Sequence, residues 1–221
     1  RRPRPVRDPV GGRWALTPSP DTSSTARQLA TVETLLDRYG IVTREAATAS
    51  GFPGGFAAAY RTLTALEEAG RCRRTYALEG QGAAQFALPG AIDLLRSMST
   101  SSEASPMRTL AATDPAQPYG ALLPWPSAGT RPARAAGAWV TLHPRGPALY
   151  LARGRKSLTT WDEASLAPAA ESLAQALAHQ STVIQRIDGE EIGTLREDDP
   201  RVRALIDAGF AHTPSGLRLR R

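Results

Sequence analysis

Residues 25–88 read TARQLATVETLLDRYG-IVTREAATAS-GFPGG-FAAAYRTLTALEEAG-RCRRTYALEGQGAAQFAL. In the first block Leu29, Val32, Leu35 and Leu36 recur at the i, i+3, i+4 spacing of one helix face, which predicts a helix over 25–37. Gly40 is placed to stop it, because glycine alone enters the left-handed conformation at little cost. Ile41-Val42 is a two-residue β-like stretch. Thr43 stands where an N-cap must stand for a second short helix over 44–49. The run from Gly51 to Gly55 is a turn, and Phe56, Tyr60, Leu63 and Leu66 mark the core face of a third helix, ended by Gly70. Two β-rich stretches follow, 72–78 and 83–88, around the loop Glu79-Gly80-Gln81-Gly82, a hairpin pattern. Helix, short strand, helix, turn, helix, two-stranded hairpin is a helix-turn-helix with a β wing, a winged helix.

Working outward, 1–24 is rich in Pro, Gly, Ser and Arg and reads as a linker or the tail of an upstream module, with Trp14 its one large anchor. A closing helix is expected over 91–98, so the winged helix occupies 25–98. Residues 99–109 form a Ser/Thr-rich linker. Beyond it, four prolines between Leu110 and Pro126 predict an ordered loop. Strands are predicted over 138–142, 148–151, 157–161, 182–187 and 216–220, with helices over 166–179 and 201–208. The fold class is therefore α+β: a winged helix followed by a small β-barrel-like α+β module over 110–221.

The chain has 221 residues with 27 basic and 21 acidic, a net charge of +6. Its 41% hydrophobic content excludes wholesale disorder, and no apolar run is long enough to span a membrane. The lone Cys72 excludes a disulfide framework and reads as a small buried hydrophobe. The three histidines, His143, His179 and His212, lie far apart in sequence and form no metal-spaced cluster. No G-x-x-x-x-G-K-[ST] motif is present, so this chain by itself is not expected to hydrolyse ATP. It also lacks an initiating Met, which suggests a piece of a longer polypeptide.

Every basic residue except Lys156 is Arg, as a G+C-rich genome would produce by codon bias alone. Clustering is more informative, at 1–7, 71–74, 153–156 and 218–221. The third helix carries Arg61 and Thr62 opposite its core face, the second helix Arg44, and the wing Arg71, Arg73, Arg74 and Tyr76. Guanidinium groups alternating with an aromatic ring suit phosphate pairing and base stacking. The same residues also suit a solvated face of a module that packs against its neighbours, and both readings stay open. Asp114, in a Pro- and aromatic-flanked loop, is the one candidate catalytic carboxylate. Asp188-Gly189 reads as a hairpin turn, and Asp198-Asp199-Pro200 as a helix N-terminus.

Several stretches carry a family likeness. They are Gly12-Arg13-Trp14, Leu36 to Glu45, Pro53-Gly54-Gly55-Phe56, Leu66 to Arg71, Gly82 to Gly90 and Ala111 to Pro115. Further on come Pro118-Tyr119-Gly120, Leu123 to Pro126, Arg186 to Gly189 and Leu217 to Arg220. Together they resemble the C-terminal region of the bacterial large helicase-related (Lhr) proteins. The resemblance implies an ATP-dependent superfamily-2 helicase, a 3′-to-5′ translocase that unwinds RNA:DNA hybrids and acts in DNA repair. ATP and Mg2+ would serve an upstream core, with no cofactor in this part. The implied partners are single-stranded or forked DNA, RNA:DNA hybrids, upstream winged helices of the same chain and further copies in a homo-oligomer. The implied location is the cytoplasm, at the nucleoid, with no membrane attachment. The region also resembles AlkZ-type DNA glycosylases, and the family has been credited with uracil-DNA glycosylase activity, for which Asp114 is the candidate here. The AlkZ pattern of Gln, a hydrophobic residue and Gln is absent, however, since Gln81 and Gln85 are four apart.

Overall fold

The computed structural model describes residues 15–19, 23–82, 84–100 and 106–220, with Ser99 and Thr100 in backbone only. Residues 1–14 and 20–22 of the predicted N-terminal linker, with Arg1–Arg7 and Trp14, residues 101–105 of the second linker, Ala83 and Arg221 lie outside the described residues.

The first helix, α1, runs Ser24–Tyr39, and the Ser23 hydroxyl accepts from the Ala26 N–H at 3.2 Å to cap it. Gly40 ends it with φ +69°, its N–H donating to the Leu36 carbonyl at 2.7 Å. A Cβ at Gly40 would stand 2.9 Å from the Ala91 Cβ, so both φ and space require glycine. Strand β1 is Ile41–Val42, and α2 is Arg44–Ala49, with the Thr43 hydroxyl accepting from the Ala46 N–H at 3.1 Å. Helix α3 is Gly55–Glu68; the hairpin is β2 (Arg73–Thr75) and β3 (Gln85–Ala87); α4 closes the unit at Pro89–Thr100. The central β3 pairs antiparallel with both β1 and β2. Val32, Leu35 and Leu36 of α1, Leu63 and Leu66 of α3, Phe52 and the fully buried Phe86 make the core, with Tyr60 edge-on to Phe86. The winged-helix element order predicted from the sequence is the one observed.

The second half contains β4 (Arg108–Ala111), β5 (Trp139–His143), β6 (Gly146–Leu151) and β7 (Ser157–Thr160). Then come α5 (Leu166–Ala176), β8 (Val183–Ile184), β9 (Arg186–Ile187), β10 (Glu190–Glu191), α6 (Pro200–Asp207), β11 (Phe210–Thr213) and β12 (Gly216–Leu219). A six-stranded sheet has the order β10-β9-β7-β6-β5-β4, antiparallel except for β7 against β9, and a three-stranded one the order β11-β12-β8. Buried Leu149 and Leu151 of β6, Ala169, Ala170 and Leu173 of α5, and Ile184, Ile187, Leu205 and Phe210 form one core beneath them.

The expected α+β module is found as mixed helix and sheet, without closure into a barrel: among the described residues β4 and β10 sit at opposite ends of the six-stranded order, with no pairing between them. Two further expectations are corrected. The predicted strand 182–187 is two strands in different sheets. Ile184 pairs with Leu217 of β12, whereas Arg186 and Ile187 pair with β7 and β10, so the chain changes sheet at Gln185. Finally, β4 starts at Arg108, inside the stretch read as linker, and pairs with β5 along its whole length.

Candidate nucleic-acid interface

Strand geometry decides what the wing presents. Side chains alternate along β2, so neighbouring arginines point to opposite faces of the hairpin. Arg74 turns toward α3. Its N–H donates to Glu67 Oε1 at 2.8 Å, its guanidinium donates to Glu67 Oε2 at 2.9 Å, and it lies over the rings of Tyr60 and Phe86, 5.6 and 5.3 Å from their centroids. Arg71, just before the strand, donates to Glu33 of α1. Two of the three predicted wing arginines are therefore held by internal ion pairs and fasten the hairpin to the helices. Their carboxylate partners lie on α1 and α3, which a reading of the wing alone could not show.

The remaining predicted contacts are separate. Arg73 is exposed and forms no ion pair among the described residues, and Tyr76, just past β2, is 83% exposed. On α3, Arg61 is exposed and Thr62 half-buried, but Ala65 and Glu68 are exposed on the same helix, which makes that surface mixed in sign. Arg44 is exposed at the start of α2, its guanidinium 5.3 Å from the Phe56 ring centroid. Across 25–98 eight arginines face seven acidic residues. This unit therefore has little long-range pull on phosphate, and a nucleic acid could be held here only through a few placed contacts.

Sequence reading missed the residue that shapes the wing. Gln85 on β3 is 1% exposed. Its Oε1 accepts from the Leu78 N–H at 2.9 Å, while its Nε2 donates to the Leu78 carbonyl at 2.8 Å and to the Gln81 carbonyl at 3.3 Å. One buried amide thus folds the wing loop back on its strand and fixes where Tyr76 emerges. A buried glutamine inside an otherwise apolar strand was the available signal. Cys72 is 1% exposed and donates its thiol to the Leu63 carbonyl at 3.5 Å. Burial pushes the thiol pKa up, and Glu67 adds to the shift, which agrees with the small-hydrophobe reading.

In the second half Asp114 is half-buried, and its Oδ1 accepts from the Ala116 N–H at 2.8 Å in a local turn. Arg134 donates to the carbonyls of Asp114, Thr113 and Gln117, fastening this loop through backbone and leaving the Asp114 carboxylate out of the contact. Among the described residues no three His, Cys, Asp or Glu side chains gather to hold a metal, and no helix is long and apolar enough to cross a membrane. Asp188 and Gly189 both have positive φ, +53° and +92°, forming the predicted two-residue turn between β9 and β10. Asp199 caps α6 with Pro200 in its first turn, as expected.

A winged helix with an exposed wing, followed by an open-sheet α+β unit, defines the class of molecule: a protein carrying a winged-helix domain. A family model described as "Large helicase-related protein, winged-helix domain" matches residues 21–107. In an alignment 227 positions long that covers 96% of this chain, the sequence is 40% identical to a Mycolicibacterium smegmatis protein named "Lhr helicase/ probable uracil glycosylase". In one 220 positions long that covers 94% of this chain, it is 37% identical to the Escherichia coli protein "Lhr helicase/uracil glycosylase". The chain belongs to the large helicase-related family and corresponds to the C-terminal region of such a protein. It spans 15% and 14% of the lengths of those two relatives.

Proposed function

We propose that this chain is a C-terminal accessory module of an Lhr-type ATP-dependent 3′-to-5′ helicase, adding nucleic-acid binding and self-assembly to DNA repair at the nucleoid, in the cytoplasm. The observation that carries the reading is a wing that leaves Arg73 and the 83%-exposed Tyr76 open while its other arginines are tied down. One cation and one ring on a protruding loop suit a single strand, where a phosphate pairs with the guanidinium and an unstacked base lies on the phenol. Single-stranded or forked DNA and RNA:DNA hybrids with unpaired ends are the partners this favours over plain duplex. ATP and Mg2+ would serve another part of the parent protein: here the turn from Gly51 to Gly55 joins two helices instead of following a strand, and Lys156, just before β7, is not in a phosphate-loop sequence.

The assembly half of the reading rests on α4. Leu94 is 60% and Leu95 38% exposed, and both line a groove of about 490 Å3 with Leu78, Ile41, Leu122 and Leu123. Apolar surface of that kind covers itself with another module, either an upstream winged helix or a second copy. Fluorescence anisotropy with single-stranded, forked and hybrid substrates, together with light scattering, tests the proposal. Salt-sensitive binding to substrates with unpaired strands is expected, with larger particles than a monomer. Salt-insensitive anisotropy from a monomer would refute it.

A second reading follows from the names of the two relatives, both of which include uracil glycosylase. In that case Asp114 would activate water at the sugar of an extruded nucleotide. Asp114→Asn on a uracil-containing oligonucleotide, followed by alkaline cleavage, decides it. Equal abasic-site formation by both forms removes Asp114, and none from either removes the activity.

A further inference from the structure

Far from the wing in sequence, the β5–β6 turn and the residues after β7 line an open pocket of about 220 Å3. Trp161, Pro147 and Ala148 make up its apolar lining with Pro126. The indole is fixed in place: its Nε1–H donates to the Pro126 carbonyl at 3.3 Å, and Trp125 lies parallel to it within 10° at a centroid distance of 6.2 Å. Four polar side chains stand at the pocket, those of His143, Arg145, Asp162 and Ser165. His143 accepts the Arg145 N–H on Nδ1 at 3.2 Å, which leaves Nε2 as the ring nitrogen that can donate. Arg145 is exposed on the turn and makes no ion pair among the described residues. Asp162 is locked by the Ser165 hydroxyl and by the Ala164 N–H at 3.2 Å, and the Ser165 hydrogen bond leads in holding its carboxyl below the usual carboxylate range.

An aromatic wall, two donors suited to an anion and one fixed acceptor are the complement of a nucleotide. The ring stacks, phosphate takes the guanidinium and imidazole, and the carboxylate accepts from a base N–H. The geometry points to a single-nucleotide site here, with the base against Trp161, the phosphate on Arg145 and His143, and Asp162 reading an N–H edge such as that of guanine. The nucleotide is either free or an unpaired residue of a bound strand. The site lies in the second half of the chain, so it stands whether or not the wing engages nucleic acid.

The test is calorimetric titration of the whole chain with dGMP and with deoxyribose 5-phosphate, which lacks the base. The site predicts that dGMP binds at least tenfold more tightly. Arg145→Ala, at an exposed turn position, weakens dGMP roughly ten- to hundredfold, as expected for a charge-assisted hydrogen bond, with an unchanged circular dichroism spectrum. Asp162→Asn narrows the margin between dGMP and the sugar phosphate. The Arg73→Ala/Tyr76→Ala double variant leaves dGMP binding as it was, so failure of this site and failure of the wing are separable. A single-stranded oligonucleotide whose affinity also falls in Arg145→Ala identifies the ligand as a strand residue; an effect on dGMP alone identifies it as free nucleotide. Equal affinity for the two phosphates, no binding of either, or dGMP binding indifferent to Arg145→Ala overturns the inference.

Discussion

Replacing Gln85 with Leu separates the wing's shape from its charge. The substitution keeps the side chain's approximate size and its burial inside β3, but removes every acceptor and donor that faces the loop. The Leu78 N–H and carbonyl lose their amide partners, and the Gln81 carbonyl loses a weaker one. A buried backbone group left unpaired costs about 1–3 kcal/mol. Leu78 is half-buried and the loop can open to water, so the lower part of that range applies to each of its two groups, about 2–4 kcal/mol in total. With a urea m-value of about 2 kcal/mol/M, the midpoint falls by about 1–2 M. The wing amides from Tyr76 to Gln81 should exchange with solvent faster than those of α1 and α3. Single-strand affinity should fall even though no arginine has been touched, because Tyr76 no longer emerges at a fixed place. Urea titration, amide exchange and anisotropy on one preparation measure all three. An unchanged midpoint together with unchanged exchange at Leu78 would mean that the amide does not hold the wing, and the reasoning fails.

Arg74→Ala removes a half-exposed ion pair and two ring contacts, so it should cost about 1–2 kcal/mol of stability with little change in strand affinity. Arg73→Ala should do the reverse; urea titration and anisotropy on the pair show it, and matching effects from both would contradict the division. In the second half Arg201 joins Asp188 at 3.3 Å, Glu190 at 3.0 Å and Asp199 at 2.7 Å, with its own side chain only 20% exposed. Arg201→Met should therefore cost about 3 kcal/mol by leaving three carboxylates uncompensated. The Arg201 hydrogen bonds hold the Asp199 carboxyl below its ordinary value. A depressed acid stabilises the fold above its unfolded pKa of about 3.9, and that contribution disappears as pH falls through the lower folded value. The wild type should thus lose stability more steeply than Arg201→Met in acid, and superimposable acid profiles would refute the linkage.

The winged helix was legible in the sequence because its punctuation is local. Thr43 caps α2 from three residues away, Gly40 supplies a positive φ where α1 must stop, and the apolar spacing of α1 and α3 matches a helix period. The second half was less legible because its decisive pairings are long-range. Arg108–Ala111 has no strong β signal of its own and becomes a strand only through β5, some thirty residues later. The stretch 182–187 reads as one strand, and only the positions of β12 and β7 divide it between two sheets. The candidate site divides in the same way. That Arg71, Arg73 and Arg74 are basic is plain in the sequence. That two of them answer to Glu33 and Glu67 depends on how the hairpin leans on α1 and α3. Trp161, His143 and Arg145 gather only once β5, β6 and β7 are paired.

The claim that the wing is the nucleic-acid surface is tested most directly by the salt dependence of single-strand binding for the wild type and the Arg73→Ala/Tyr76→Ala variant. Removing one phosphate contact should flatten the slope of log K against log salt by about 0.7. Loss of the Tyr76 ring should lower affinity at every salt concentration by about 1–3 kcal/mol. The same slope and the same affinity for the two proteins would show that the strand binds elsewhere.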